Sequence, residues 1–195
     1  MKKPLLFTFL AGCLITLLAS CQSGKPRLFQ VVDGPGMENE ATDEERKEAN
    51  INSETTLLLL RVRTIYEAAE KAYQNTGELG TDTNLDEEYC SEGWRKLVDK
   101  VLQRQRETDF LCLDADYWVM GQDVENYSAD NFQVKEIDIE APKHAVVTFD
   151  LHNFGEVRPV RITLVYEKDQ WMIDNFYDVR NNLDWRKMME EYLQE

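Results

Sequence analysis

Leu164-Val165-Tyr166-Glu167-Lys168-Asp169-Gln170-Trp171-Met172-Ile173-Asp174 decides the fold of this chain. Two apolar, aromatic runs flank the polar Glu167-Lys168-Asp169 step, which predicts two strands joined by a tight turn. Period-two alternation sets Trp171 and Ile173 on one face, opposite Leu164 and Tyr166 of the neighbouring strand. It sends Met172 and Asp174 to the other face. So apolar a sheet face needs a cover, and the preceding elements supply it.

Working outward, period two begins at Phe132 and predicts four strands over 134–139, 145–151, 157–166 and 170–176. Pro142-Lys143 and Asn153-Phe154-Gly155 serve as the other turns. Upstream the period is helical. Leu58, Val62, Ile65, Ala69 and Ala72 form a stripe, flanked by Tyr66 and Tyr73, on a helix capped by Ser53 and stopped by Gly77 and Gly80. A second helix starts at Asn84, in capping-box spacing with Glu87, bends at Gly93 and carries Trp94, Leu97, Val98, Val101 and Leu102 on one face. A last helix over 184–193 has Trp185, Met188, Met189, Tyr192 and Leu193 as its stripe. Helices, then a meander, then a closing helix make an α+β domain: N-terminal helices packed on a curved antiparallel four-stranded sheet, with a short C-terminal helix.

The N-terminus has a different character. Lys2 and Lys3 precede an apolar run over 5–18 that is short for a membrane span and right for a signal segment. Leu18-Ala19-Ser20-Cys21 resembles the lipobox of bacterial lipoproteins. That resemblance implies cleavage before Cys21, lipid on its thiol and an acylated new amino terminus. Gln22 is not the aspartate that holds lipoproteins of enteric type at the inner membrane, so the resemblance implies the outer membrane, facing the periplasm. Each buried methylene of such an anchor contributes about 0.8 kcal/mol. Residues 1–20 are thus expected to be a signal peptide, 21–52 a flexible acidic tether, and 53–195 a single domain.

The 195 residues are 43% hydrophobic and carry a formal charge of −15, which becomes −17 when Lys2 and Lys3 leave with the signal. Nucleic acid and anionic lipid are excluded as electrostatic partners, since both are negative. The membrane partner is reached through the lipid alone. Cys90 and Cys112 remain in the folded part, where an exported protein permits either a disulfide or two buried thiols.

The order of elements resembles the nuclear transport factor 2-like, or cystatin-like, superfamily, whose sheet wraps its helices into a cone. Leu113-Asp114-Ala115-Asp116 with Gly121-Gln122-Asp123, and Trp171-Met172-Ile173-Asp174, resemble an uncharacterised family of exported bacterial proteins of unknown function. The superfamily's enzymes place an acid or base inside the cone. The matching residues here are Asp114, Asp116, Asp123 and Asp174, with Tyr66, Tyr117 and Tyr166 as partners. Against this, Asp114 and Asp116 bracket a turn where aspartate caps backbone amides, so no catalytic residue is assigned. His144 and His152 lack a flanking carboxylate cluster, and no metal or cofactor is expected. Tyr66, Trp94, Asp116, Tyr117, Trp118, Phe149, Tyr166 and Trp171 are the candidate pocket; its large rings either line a ligand cavity or fill a core. The resulting expectation is a non-catalytic lipoprotein binding a small apolar ligand or a peptide. The alternatives are an inhibitor- or immunity-type module for a basic protein partner, and an isomerase- or dehydratase-like enzyme.

Overall fold

A computed structural model describes residues 42–76 and 84–194. The signal segment, Cys21, most of the tether and the Gly77–Gly80 helix stop lie outside them. Helix α1 spans Asp43–Thr76, α2 Leu85–Tyr89 and α3 Glu92–Thr108; strands β1 Ser128–Asp138, β2 His144–Asn153, β3 Glu156–Glu167, β4 Gln170–Asp178 and β5 Leu183–Asp184 follow, and α4 Trp185–Tyr192 closes the chain.

α1 starts ten residues before Ser53, so the expected tether loses 43–52 to helix. The cause is a reciprocal cap. The Glu45 N–H donates to Thr42 Oγ1 at 3.2 Å, and the Thr42 N–H donates to Glu45 Oε2 at 2.8 Å. Asp43, Glu44 and Glu45 in the first turn also suit the helix dipole. The run lacks an apolar stripe because no residue before Leu58 is buried. Lys47–Glu140 at 3.2 Å and Lys143–Glu54 at 3.1 Å tie this solvated stretch to the β1–β2 connection. From Leu58 onward the expected stripe is buried throughout.

The second helix is two helices, broken at Cys90-Ser91 and not bent at Gly93. Cys90 is extended and bridges Ile173, while the Ser91 N–H donates to the Ile173 carbonyl at 2.7 Å. Ser91 then caps α3, its Oγ accepting from the Trp94 N–H at 2.9 Å. Asn84 makes no side-chain cap; its amide donates to the Glu87 carboxylate instead. Trp94, Leu97, Val98 and Val101 are buried as read, whereas Leu102 is exposed.

The sheet has five antiparallel strands in the order β1-β2-β3-β4-β5, where four were expected. The fifth is two residues long, too short to show a period. Ala145, Val147, Phe149 and Leu151 of β2 and Val160, Ile162 and Leu164 of β3 alternate inward against the helices. Lys168 and Asp169 both have positive φ, 51° and 63°, as a two-residue hairpin turn of the primed kind requires. In β4 the ladder runs Leu164↔Ile173 and then Thr163↔Asn175, leaving Asp174 as the extra residue of a bulge. Ile173 and Phe176, three apart, consequently both reach the core. Trp171 is buried as expected, and Met172, placed on the outer face by alternation, is buried as well. Asp184 caps α4 by accepting from the Lys187 N–H at 3.0 Å, and Trp185, Met189 and Tyr192 are its buried stripe.

Candidate functional site

The eight candidate pocket residues do not share one cavity. Trp94 meets Tyr117 edge-on at 5.0 Å and Phe176 at 5.1 Å; Trp118 meets Phe176 at 5.0 Å and Tyr66 at 5.9 Å; Tyr66 lies 4.3 Å from Phe149. These rings, from both long helices, the 109–127 loop and the sheet, interlock as core. Tyr166 and Trp171 form a separate T-shaped pair at 5.4 Å near the β3–β4 turn. Tyr166 is 37% exposed and lies beneath the Lys143 ammonium, 4.6 Å from its centroid.

Asp116, Tyr117 and Trp118 do come together, and with partners the sequence did not suggest. They line a depression of about 270 Å³ with Tyr73 of α1 and Asn84, Leu85 and Asp86 around α2. The loop is shaped by paired backbone bonds, Asp116 N–H to Gly121 carbonyl at 2.8 Å and Gly121 N–H to Asp116 carbonyl at 3.2 Å, with Met120 at φ 53°. Asp116 accepts from the Tyr73 hydroxyl at 2.6 Å and from the Trp118 N–H at 2.7 Å. Asp86 accepts from Trp118 Nε1 at 2.8 Å, from the Tyr117 hydroxyl, and from the Cys90 thiol at 3.6 Å. Every donor here is neutral. Among the described residues no lysine, arginine or histidine pairs with either carboxylate.

The electrostatics follow. Burial raises the proton affinity of Asp116; the bonds from Tyr73 and Trp118 pull it back, and the charge of Asp86 adds to the rise. Burial also holds Tyr73 and Tyr117 far above the ordinary phenol range, with Asp116 and Asp86 respectively reinforcing the shift, so both stay neutral donors. Two carboxylates with spare lone pairs at an aromatic-walled opening accept hydrogen bonds from a cation.

The other aspartates lie elsewhere. Asp114 and Asp123 are exposed. Asp174 pairs with Arg186 at 2.7 Å and accepts from the Ser91 hydroxyl, a tie between α3, β4 and α4. His144 and His152 make cross-strand contacts to Glu136 at 3.3 Å and Asp130 at 3.1 Å. Among the described residues no three ligating side chains form a metal site. No disulfide joins Cys90 to Cys112; Cys90 is buried, and burial pushes its thiol well up. Comparison with known proteins finds no matching family model and no matching curated protein.

Proposed function

We propose that this is an exported, lipid-anchored, non-catalytic binding module that recognises a cationic group, the ammonium or guanidinium of a peptide or protein, in the Asp86–Asp116 depression. The observation that carries the reading is two carboxylates held at one opening by neutral donors alone. Buried charges are ordinarily matched, and an unmatched pair favours an incoming cation. The interlocked rings favour this site over a ligand in the centre of the cystatin-like cone, and so favour the basic-partner class over an apolar ligand. The lipobox-like Leu18-Ala19-Ser20-Cys21 supports the anchor and an outer-membrane address. No helix of the described residues is long and apolar enough to cross a membrane. Along α1 the depression, at Tyr73, stands about 46 Å from Thr42 at 1.5 Å per residue. The depression is thus remote from the N-terminal end of α1.

Titration with Nα-acetyl-lysine amide and Nα-acetyl-arginine amide, with the norleucine amide as control, tests the reading through the Trp118 indole resonance. The two cations should shift it, norleucine should not, and Asp86→Asn with Asp116→Asn should abolish the shift. Silence at millimolar cation would refute it. Binding should weaken as pH falls through the raised pKa of Asp116, because its proton competes with the cation. A second reading, proton transfer by Asp116, draws on that same raised affinity at an open site.

A further inference from the structure

The sheet face opposite the helices plays no part in that reading. On it, Lys135 of β1, Val146 and Thr148 of β2, Arg161 and Thr163 of β3 and Tyr177 of β4 line a depression of about 430 Å³. The register places them side by side: Thr148 pairs with Arg161, Arg161 with Tyr177, and Val146 with Thr163. On β2 and β3 they alternate with the buried Val147, Phe149, Ile162 and Leu164, and so stand away from the core. The β1–β2 register steps from Val134↔Val147 to Glu136↔Val146, which leaves Lys135 as the extra residue of a bulge. A bulge re-aims side chains, and Lys135 and Glu136, though adjacent in sequence, accordingly both line the depression.

The charges here are unequally satisfied. Glu136 contacts His144 at 3.3 Å, and Asp184, on the rim, accepts from the Asn175 amide at 2.9 Å and the Lys187 N–H at 3.0 Å. The cations have no such partners. Although acidic residues outnumber basic ones by 37 to 22, neither Arg161 nor Lys135 pairs with a carboxylate among the described residues. Lys135 donates to the Gln133 amide oxygen at 2.6 Å. Arg161 lies over the Tyr177 ring, 3.9 Å from its centroid, and its guanidinium makes no hydrogen bond among the described residues. Stacking on a ring leaves the edge of a guanidinium open to a planar carboxylate, which it grips with two parallel bonds. The Thr148 and Thr163 hydroxyls are likewise without a partner among the described residues. Arg161 and Lys135 are exposed and the two threonines half-buried, so all four are reached from solvent.

We infer that this depression binds a small hydroxylated monocarboxylate, a sugar acid in chemical class. The carboxylate meets the edge of Arg161, and the ligand hydroxyls meet Thr148 and Thr163. Lys135 reaches in from β1, two strand spacings or about 10 Å from β3, and adds a second positive charge. Glu136 and Asp184 on the same wall offset the two cations, which favours a single negative charge over the nearly two of a phosphate. The site shares no residue with the Asp86–Asp116 depression and takes a ligand of opposite charge.

The test titrates D-glucuronate, acetate, D-glucose and inorganic phosphate into the full chain at constant ionic strength and follows the backbone amide resonances of Thr148, Arg161 and Thr163. D-Glucuronate should shift them and bind about tenfold more tightly than acetate, the value of one or two neutral hydrogen bonds, and more tightly than glucose or phosphate. Arg161→Gln should weaken D-glucuronate by about tenfold or more, as loss of a charge-assisted pair does. Lys135→Gln, which leaves the Tyr177 stack and the melting temperature intact, should weaken it several-fold. Thr148→Val with Thr163→Val should reduce D-glucuronate to the affinity of acetate. Asp86→Asn with Asp116→Asn should change none of these affinities, which separates this proposal from the cation site. Unmoved resonances at millimolar D-glucuronate, acetate or phosphate binding as tightly as D-glucuronate, or a folded Lys135→Gln variant of unchanged affinity would each overturn it.

Discussion

Replacing Asp174 by alanine tests how the bulge in β4 contributes to stability. Alternation alone sends this residue to solvent, where its loss would cost little. The structure places it otherwise: its side chain is 26% exposed, Arg186 lies at 2.7 Å, and the Ser91 hydroxyl, itself fully buried, donates to it. Removing one partner of a fully buried ion pair costs about 3–5 kcal/mol. Two features reduce that figure here. Arg186 keeps its bonds to the Asp174 carbonyl at 3.0 and 2.6 Å and its contact with Glu190 at 3.7 Å, and the pair is a quarter exposed. What is lost is one charge-assisted contact and the acceptor for a buried hydroxyl, each a contribution of order 1–3 kcal/mol that relaxation partly restores. An expected loss of about 2–3 kcal/mol lowers the melting temperature by roughly 5–10 °C in a domain of this size. Urea unfolding of Asp174→Ala, Arg186→Ala and the double variant measures it. A coupling energy near 1 kcal/mol or more is expected. A loss below about 0.5 kcal/mol with additive single variants would refute the argument, since exposed pairs behave that way.

Trp171→Ala should cost about 3–5 kcal/mol in the same urea assay, since the ring is buried and stacks edge-on against Tyr166; a near-neutral result means the hairpin end is not packed as described. Asp116 has a folded-state pKa above its unfolded value, so the folded chain holds that proton more tightly. Its contribution favours folding at low pH and is lost as pH rises from the unfolded towards the raised folded pKa. Asp116→Asn should flatten that part of the stability–pH curve, read from urea midpoints at successive pH values; an unchanged slope counts against the burial argument. Cys21→Ser should release the protein from the membrane fraction, checked by fractionation and mass spectrometry, and retention of an unacylated product would remove the lipobox reading.

What the sequence conveyed well were periodic features. The α1 stripe from Leu58 to Ala72, the inward alternation of β2 and β3, the Lys168-Asp169 turn and the closing helix are each local, fixed by 3.6- or 2-residue periods or by one residue's backbone preference. Failures arose where the period is interrupted or absent. β1 begins at Ser128 and not at Val134; its first six residues contain a bulge at Asn131, which scrambles alternation. Residues 43–52 looked like coil because a helix held by a capping box and bathed in water needs no apolar stripe.

The site escaped for a deeper reason, which is that its geometry is assembled by two irregularities, one just after Asp86 and one far from it in sequence. Asp86 can meet Tyr117, 31 residues away, only if α2 stops at Tyr89 and does not run on into α3. That stop is made by Cys90 and Ser91 pairing with Ile173, a backbone contact on the strand whose register the Asp174 bulge shifts at the next residue. The carboxylate that protrudes there, Asp174, then accepts from Ser91, the very residue that caps α3. One extra residue in β4 thereby helps fix where α2 ends, and hence where Asp86 stands relative to Asp116. No spacing rule links these positions, because the link runs through a strand edge and not along one element. It follows that Asp174→Ala, though far from the depression in sequence, should loosen α2 first, and Asp86 with it, before the sheet is disturbed.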